Sequence, residues 1–206
     1  MRTLNSLCRW LAPICLGVLC LAQAGAVESI HVRVNPRAAF QTMDGFGASD
    51  AWACQFVGRD WPLAKREQIA DLLFSRDVDT NGSPRGIGLS LWRFNITAGT
   101  AEQGKASDIP DPWRRGECFL RPDGSYDWSK QAGQQWFLEA AHRRGVEKLL
   151  AFVNSPPVYF TRNGKGYAPA GITNLNLGPG KMEKYADFMT EVLAHKRGHH
   201  SMVRFY

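Results

Sequence analysis

The residues best placed to do chemistry stand at the ends of apolar runs. In GIGLSLWRFNI (86–96), strand alternation puts Ile87, Leu89, Leu91, Arg93 and Asn95 on one face, and Gly88, Ser90, Trp92, Phe94 and Ile96 on the other. A guanidinium and an amide therefore close an otherwise apolar face. Burying a guanidinium is costly unless it meets a carboxylate or a ligand. Two readings of Arg93 stand: it ties loops together, or it orients a catalytic carboxylate or a sugar hydroxyl in an active site. Asn154-Ser155-Pro156-Pro157 closes the run KLLAFV in the same manner. An Asn held by a rigid Pro-Pro turn suits a sugar hydroxyl, and it equally satisfies a turn. Asp50, in the string SDAW, either faces a pocket or caps the next segment. Trp52 and Trp113 are either stacking platforms for a ligand or packing residues.

Other chemistries are thinly represented. The five His residues show no metal-ligand spacing, and no metal or cofactor is expected. No G-x-S-x-G elbow occurs. Gly45-Phe46-Gly47 is too short for a dinucleotide fingerprint. Asn95-Ile96-Thr97 matches the glycosylation sequon, but it falls at a strand end that points into a pocket, so it reads as a chance match. The net charge of +6 is carried by scattered Lys and Arg, not by a stripe interleaved with aromatics, which argues against a nucleic-acid partner. Seven Trp and eleven Phe either serve carbohydrate stacking or fill the core.

The elements that position these residues alternate between strand and helix. FQTMDGFGAS (40–49) reads as a strand ending in a glycine turn, followed by a helix in AKREQIADLLFS with Ile69, Leu72 and Leu73 on one face. Residues 87–96 form the second strand. WSKQAGQQWFLEAAHRRG is the next helix, with Ala132, Trp136, Phe137, Ala140 and Ala141 on one face. Residues 148–157 form the third strand. The last helix aligns Met182, Tyr185, Ala186, Met189, Val192 and Leu193 and stops at Gly198. Such alternation means α/β with a parallel sheet. The long segments 98–127 and 156–180 both follow strand C-terminal ends, which favours the rim of a (β/α)8 TIM barrel over an open doubly wound sheet.

Residues 1–26 read as a secretory signal peptide: Arg2 and Arg9 precede the apolar run 11–21, and small-x-small exits follow. Cleavage would lower the charge to +4 and remove Cys8, Cys15 and Cys20. The mature chain is then secreted or periplasmic, with no membrane attachment. Cys54 and Cys118 remain, either paired or as two buried thiols.

Taken together, DGFGASDAW, GIGLSLWRFNITAGTAEQG, YDWSKQAGQQWFLEAAHRRGVEKLLAFVNSPPV and TRNGKGY resemble glycoside hydrolase family 30, above all its endo-β-1,6-galactanase-like branch. The resemblance runs from about Phe40 to His195. It implies a retaining endo-β-glycosidase on a (β/α)8 barrel, with a polysaccharide as its partner. It also implies a side β-structure, to which 29–36 would add a strand. By position, Arg93 matches the family's arginine at the sugar subsite, and Asn154 and Ser155 its third strand-end motif. The candidate substrate-binding set is therefore Asp50, Trp52, Arg93, Asn95, Asn154 and Ser155.

The catalytic pair is the departure from that pattern. A retaining glycosidase uses two carboxylates about 5 Å apart. The resemblance implies an acid/base Glu in an Asn-Glu-Pro string and a nucleophilic Glu at a later strand end, and this sequence has no Asn-Glu-Pro. Asp50 is its one strand-end carboxylate; Glu67, Asp71, Glu139, Glu183 and Glu191 read as helix-surface charges. About three βα units are expected in 27–198, with a fourth strand beginning near Ser201, where a full barrel needs about 250 residues. One codon choice for the tail KRGHHSMVRFY, read one base later, spells SEGITPWFDS, which resembles the family's continuation. The expectation is thus the N-terminal part of a barrel, inactive alone, with an atypical, frameshifted tail over 199–206. The alternative is a non-catalytic carbohydrate-binding or structural α/β domain.

Overall fold

The computed structural model describes residues 30–171, 175–199 and 203–205. The expected signal peptide lies outside them, as does part of the tail. The chain divides into two units, Met1–Thr42 and Met43–Tyr206. In the first, residues 30–42 carry a turn in which the Arg37 amide donates to Asn35 Oδ1 at 3.1 Å, and no strand. The side strand expected over 29–36 is therefore not formed here: a strand needs a hydrogen-bonded neighbour, and none of the described residues pairs with this segment.

The second unit is a parallel sheet with helical crossovers. Its strands are β1 (Gly47–Ser49), β2 (Leu91–Ile96), β3 (Lys148–Val153) and β4 (Val203–Phe205), and they pair in chain order β1-β2-β3-β4. Helices α1 (Ala53–Asp60) and α2 (Leu63–Phe74) join β1 to β2. The short α3 (Thr100–Gln103) and α4 (Ala132–Arg143) join β2 to β3, and α5 (Met182–His199) joins β3 to β4. A strand order that never reverses, with same-handed crossovers, puts every helix on one face and leaves the other as a barrel interior. An open doubly wound sheet would need a reversal, and there is none.

Burial follows the alternation read in the sequence. Trp92, Phe94 and Ile96 are buried, as are Leu149 and Ala151, while Leu91, Arg93, Leu150 and Phe152 are half-exposed on the opposite face. Trp92 meets Phe74 of α2 edge-on at 5.0 Å and Phe137 of α4 at 6.2 Å. Helices α1 and α4 cross where both are glycine. A Cβ on Gly58 would stand 2.2 Å from Gly133 O, and one on Gly133 1.9 Å from Gln55 O, so no side chain fits at this crossing.

Several expected helix faces shift. Leu72 is 61% exposed, and α2 buries Ala70 and Phe74 instead, one position further round. On α4 the buried stripe is Gly133, Gln134, Phe137, Leu138, Ala140 and Ala141, while Ala132 is exposed. On α5 the buried positions are Tyr185, Phe188, Val192 and Lys196; Met182 is exposed. That helix also runs through Gly198 to His199 instead of ending there, because a glycine inside a helix costs only about 1 kcal/mol. A fourth strand follows, as expected, at Val203–Phe205.

Candidate active site

Parallel pairing brings the C-terminal ends of β1, β2 and β3 to one edge. Ser49 pairs with Arg93, which pairs with Leu150; Asn95 pairs with Phe152. Arg93 lies on the open face, donating from Nε to Ser49 Oγ at 3.0 Å, with its guanidinium 4.3 Å from the centre of the Phe152 ring. Its terminal nitrogens have no ion-pair partner among the described residues. Asn95 is 1% exposed, and neither Nδ2 nor Oδ1 has a partner among those residues. Burial at that level keeps the sequon out of reach of glycosylation.

Asp50 is placed differently from a pocket-facing carboxylate. It is fully buried; its Oδ1 accepts from the Asn95 amide at 2.8 Å, and its own amide donates to Arg93 O at 3.1 Å. Burial pushes its pKa well above the usual carboxylate range, opposed by the Asn95 amide, the Gln134 side chain and the charge of Arg93. It therefore laces the end of β1 to β2. It is not a helix cap: α1 has no side-chain cap hydrogen bond.

Trp52, Asn154 and Ser155 come together. They line one small cleft of about 60 Å³ with Thr97, Arg114 and Gly166. The Arg114 guanidinium lies 5.2 Å from the Trp52 ring centre. The Asn154 amide continues the β2–β3 ladder by donating to Ile96 O at 3.3 Å, which leaves its side chain exposed at the strand end. Ser155 Oγ donates to Pro156 O at 3.2 Å. Trp113 stays outside the cleft and stacks on Phe56 at 4.6 Å. Among the six candidates, then, Arg93 is open to solvent, Asn95 is buried on the same side of β2, Trp52, Asn154 and Ser155 share the cleft, and Asp50 is buried behind the strand ends.

The long loops are held by polar contacts that periodicity could not reveal. Gln55 Nε2 donates to Glu117 Oε2 at 2.8 Å, and the same oxygen accepts from the Gln131 amide at 2.6 Å. Gln131 Nε2 donates to Asn95 O at 2.7 Å, which fixes the end of β2 from behind. Lys165 bridges the two loops by pairing with Asp108 at 2.7 Å and donating to Ala106 O. Arg114 was overlooked among the cleft residues; its place beside Trp113 in the string PWRR was the available signal. The helix acids behave as surface charges: Glu67 pairs with Arg143 and Arg144, Asp71 with Arg144, and Glu139 with Arg143.

Cys54 and Cys118 are both free, and burial pushes both thiols up to about 12. Among the described residues no group of three or more His, Cys, Asp or Glu is placed to hold a metal, and no helix is long and apolar enough to cross a membrane.

Comparison with known proteins places this arrangement. The profile of O-glycosyl hydrolase family 30 matches residues 29–205. An exo-beta-1,6-galactobiohydrolase of Bifidobacterium longum subsp. longum is 24% identical over 84% of this chain, which spans 14% of that protein. The crystal structure of a conserved exported protein from Bacteroides fragilis is 43% identical, with a TM-score of 0.73 over 81% of this chain and 34% of that one. SrfJ from Salmonella typhimurium shares the fold, at 21% identity and a TM-score of 0.57, covering 80% of this chain and 33% of its own. The chain thus spans about a third of the solved structures it matches, and far less of the curated relative.

Proposed function

Because the chain belongs to glycoside hydrolase family 30, we propose that it forms the N-terminal, substrate-binding part of a secreted retaining endo-β-glycosidase acting on a β-1,6-galactan-like polysaccharide. Residues 27–198 make up the barrel portion on this reading, after a signal peptide over 1–26. The substrate class is supported by the galactobiohydrolase relative, and export by the Bacteroides fragilis relative's description as an exported protein. Arg93 lines the barrel interior and meets sugar hydroxyls there, with Asn95 buried on the same side of β2. Trp52, Asn154 and Ser155 contact the chain at the rim.

One observation carries the division of labour. Retention needs two carboxylates about 5 Å apart at the strand ends. Asp50, the one carboxylate at the ends of β1–β3, is fully buried and bonded to backbone. These strands therefore bind and orient, and both catalytic Glu residues belong to strands beyond them, so the chain alone is inactive.

The test is a titration of the 206-residue chain with β-1,6-galactobiose, followed by NMR, beside a reducing-sugar assay on β-1,6-galactan. The expected result is perturbation around Arg93 and Asn154, lost in Arg93→Ala, with no sugar released. Sugar release that Asp50→Asn abolishes would overturn the division of labour. In the completed enzyme, release of disaccharide alone would replace the endo mode with an exo one.

A further inference from the structure

A second cleft, of about 420 Å³, opens where the turn 121–125 and the segment 158–160 meet the start of α5. It shares no residue with the cleft around Trp52 and Asn154. Helices begin where strands end, so it lies on the same rim of the sheet, beyond the loops that follow β2 and β3.

Its walls are fixed before any ligand arrives. Leu120 and Tyr126 form an antiparallel bridge, and the Arg121 amide donates to Ser125 O at 2.8 Å. Gly124 turns the corner at φ +88°, a conformation other residues rarely adopt. Tyr126 lies parallel to Trp128 at 4.9 Å and to Phe188 at 6.4 Å. Opposite, the Gly178 amide donates to Phe160 O at 2.7 Å and Thr161 bridges to Leu177.

The lining combines three half-buried rings, Tyr126, Tyr159 and Phe160, with three cations, Arg121, Lys181 and Lys184. Asp123 and Asp187 also line it. Asp123 is engaged by its own turn, accepting from Ser125 N at 2.9 Å and from Ser125 Oγ at 2.7 Å. Arg121 is paired with Asp127 at 2.8 Å. Lys181 sits 5.9 Å from the Phe160 ring centre, and neither it nor Lys184 has an ion-pair partner among the described residues. A ring wall suits the apolar face of a sugar, and two ammonium groups at its edge, against the one carboxylate of Asp187, leave a positive charge that suits a carboxylate. A neutral sugar would leave the lysines unused, and a bare phosphate would leave the rings unused.

We propose that this cleft is an outer subsite for a uronic-acid residue carried on the polysaccharide, a reading that rests on the strand ends facing a saccharide chain. Tyr159 is the platform, and Lys181 and Lys184 hold the carboxylate.

The test is an NMR titration of the 206-residue chain with β-glucuronosyl-1,6-galactose and, separately, neutral β-1,6-galactobiose. The acidic disaccharide is expected to shift Tyr159 and Lys184 and to bind there about tenfold more tightly than the neutral one, the yield of one charge-assisted hydrogen bond. Lys181→Ala/Lys184→Ala changes exposed or half-exposed side chains and should erase that preference without unfolding the chain. Equal binding of the two sugars, no shift at the cleft, or a preference that survives the double variant would overturn the proposal. Galactobiose shifts confined to Arg93 and Asn154, with the cleft silent, would overturn it while sparing the proposed function. Acidic-sugar shifts at the cleft with Arg93 and Asn154 silent would uphold the subsite and count against that function.

Discussion

Asp50 distinguishes a carboxyl that builds the sheet from one that does chemistry. It is fully buried, its Oδ1 accepts from the Asn95 amide, and its Oδ2 has no hydrogen-bond partner among the described residues. Asp50→Asn keeps the acceptor and puts an amide nitrogen beside Gln134 where Oδ2 stands. Asp50→Ala strips the Asn95 amide of its partner at a cost of about 1–3 kcal/mol. The pH dependence has a definite sign. The folded pKa is raised above the unfolded one, so this group's stabilisation is fully present below about pH 4 and is lost as pH rises through the folded pKa. Within that window the loss approaches about 1.4 kcal/mol per pH unit. Urea unfolding followed by Trp fluorescence at pH 4, 6 and 8 reads this directly. Asp50→Asn should match the native chain near pH 4 and exceed its stability at pH 8 by at least about 1 kcal/mol, with a flatter pH profile. Asp50→Ala should fall below Asp50→Asn throughout. If Asp50→Asn is the less stable form at pH 8, the native carboxylate is ionised and favourably paired, and the reasoning is wrong.

Three other outcomes follow from the same geometry. Gly133→Ala forces a Cβ into the Gln55 carbonyl and should destabilise by about 1–3 kcal/mol in the same urea assay. Cys54 and Cys118, with thiols near 12, should react with DTNB at pH 8 roughly a thousandfold more slowly than a free cysteine, until urea exposes them. Lys196 is 3% exposed, donates to Gln135 Oε1 and lies 4.9 Å from the Phe119 ring centre; burial pulls its amine down to about 8. Its folded pKa lies below the unfolded one, so stability should rise between about pH 8 and 10, and Lys196→Met should remove that rise while stabilising the chain at pH 7 by roughly 1–3 kcal/mol.

The second and third strands and the barrel topology were legible because period-2 alternation in 87–96 and the apolar run opening 148–157 have few other interpretations, whereas the first strand, read over 40–49, forms only at Gly47–Ser49. The exact helix faces were not legible. Moving one position round a helix changes which of Leu72 and Ala70, or of Ala132 and Gly133, is buried, and on α4 the deciding factor is the glycine crossing with the distant α1. Helix α1 was missed because ACQFVGRD is only eight residues long; Pro62, just past its C-cap Trp61, was the available stop signal. Gln55, Gln131 and Gln134 add nothing to an apolar pattern, yet they are buried because Asn95 O and Glu117 engage them. The position of Arg93 on the half-exposed face was legible because strand parity fixes where its side chain points, and that of Asn154 and Ser155 because an apolar run ends there before a Pro-Pro turn. Asp50, one residue past β1, was left open by parity and settled by the Asn95 amide.

The central claim is that these strands bind the saccharide and lack its catalytic carboxylates. The most direct measurement compares hydrolysis of β-1,6-galactan by this chain alone and by the chain fused to the part of the Bacteroides fragilis relative beyond the segment it matches. The account predicts no reducing-sugar release by the chain alone, and release by the fusion that Arg93→Ala sharply reduces. Hydrolysis by the chain alone, or a fusion whose activity is indifferent to Arg93, would contradict it.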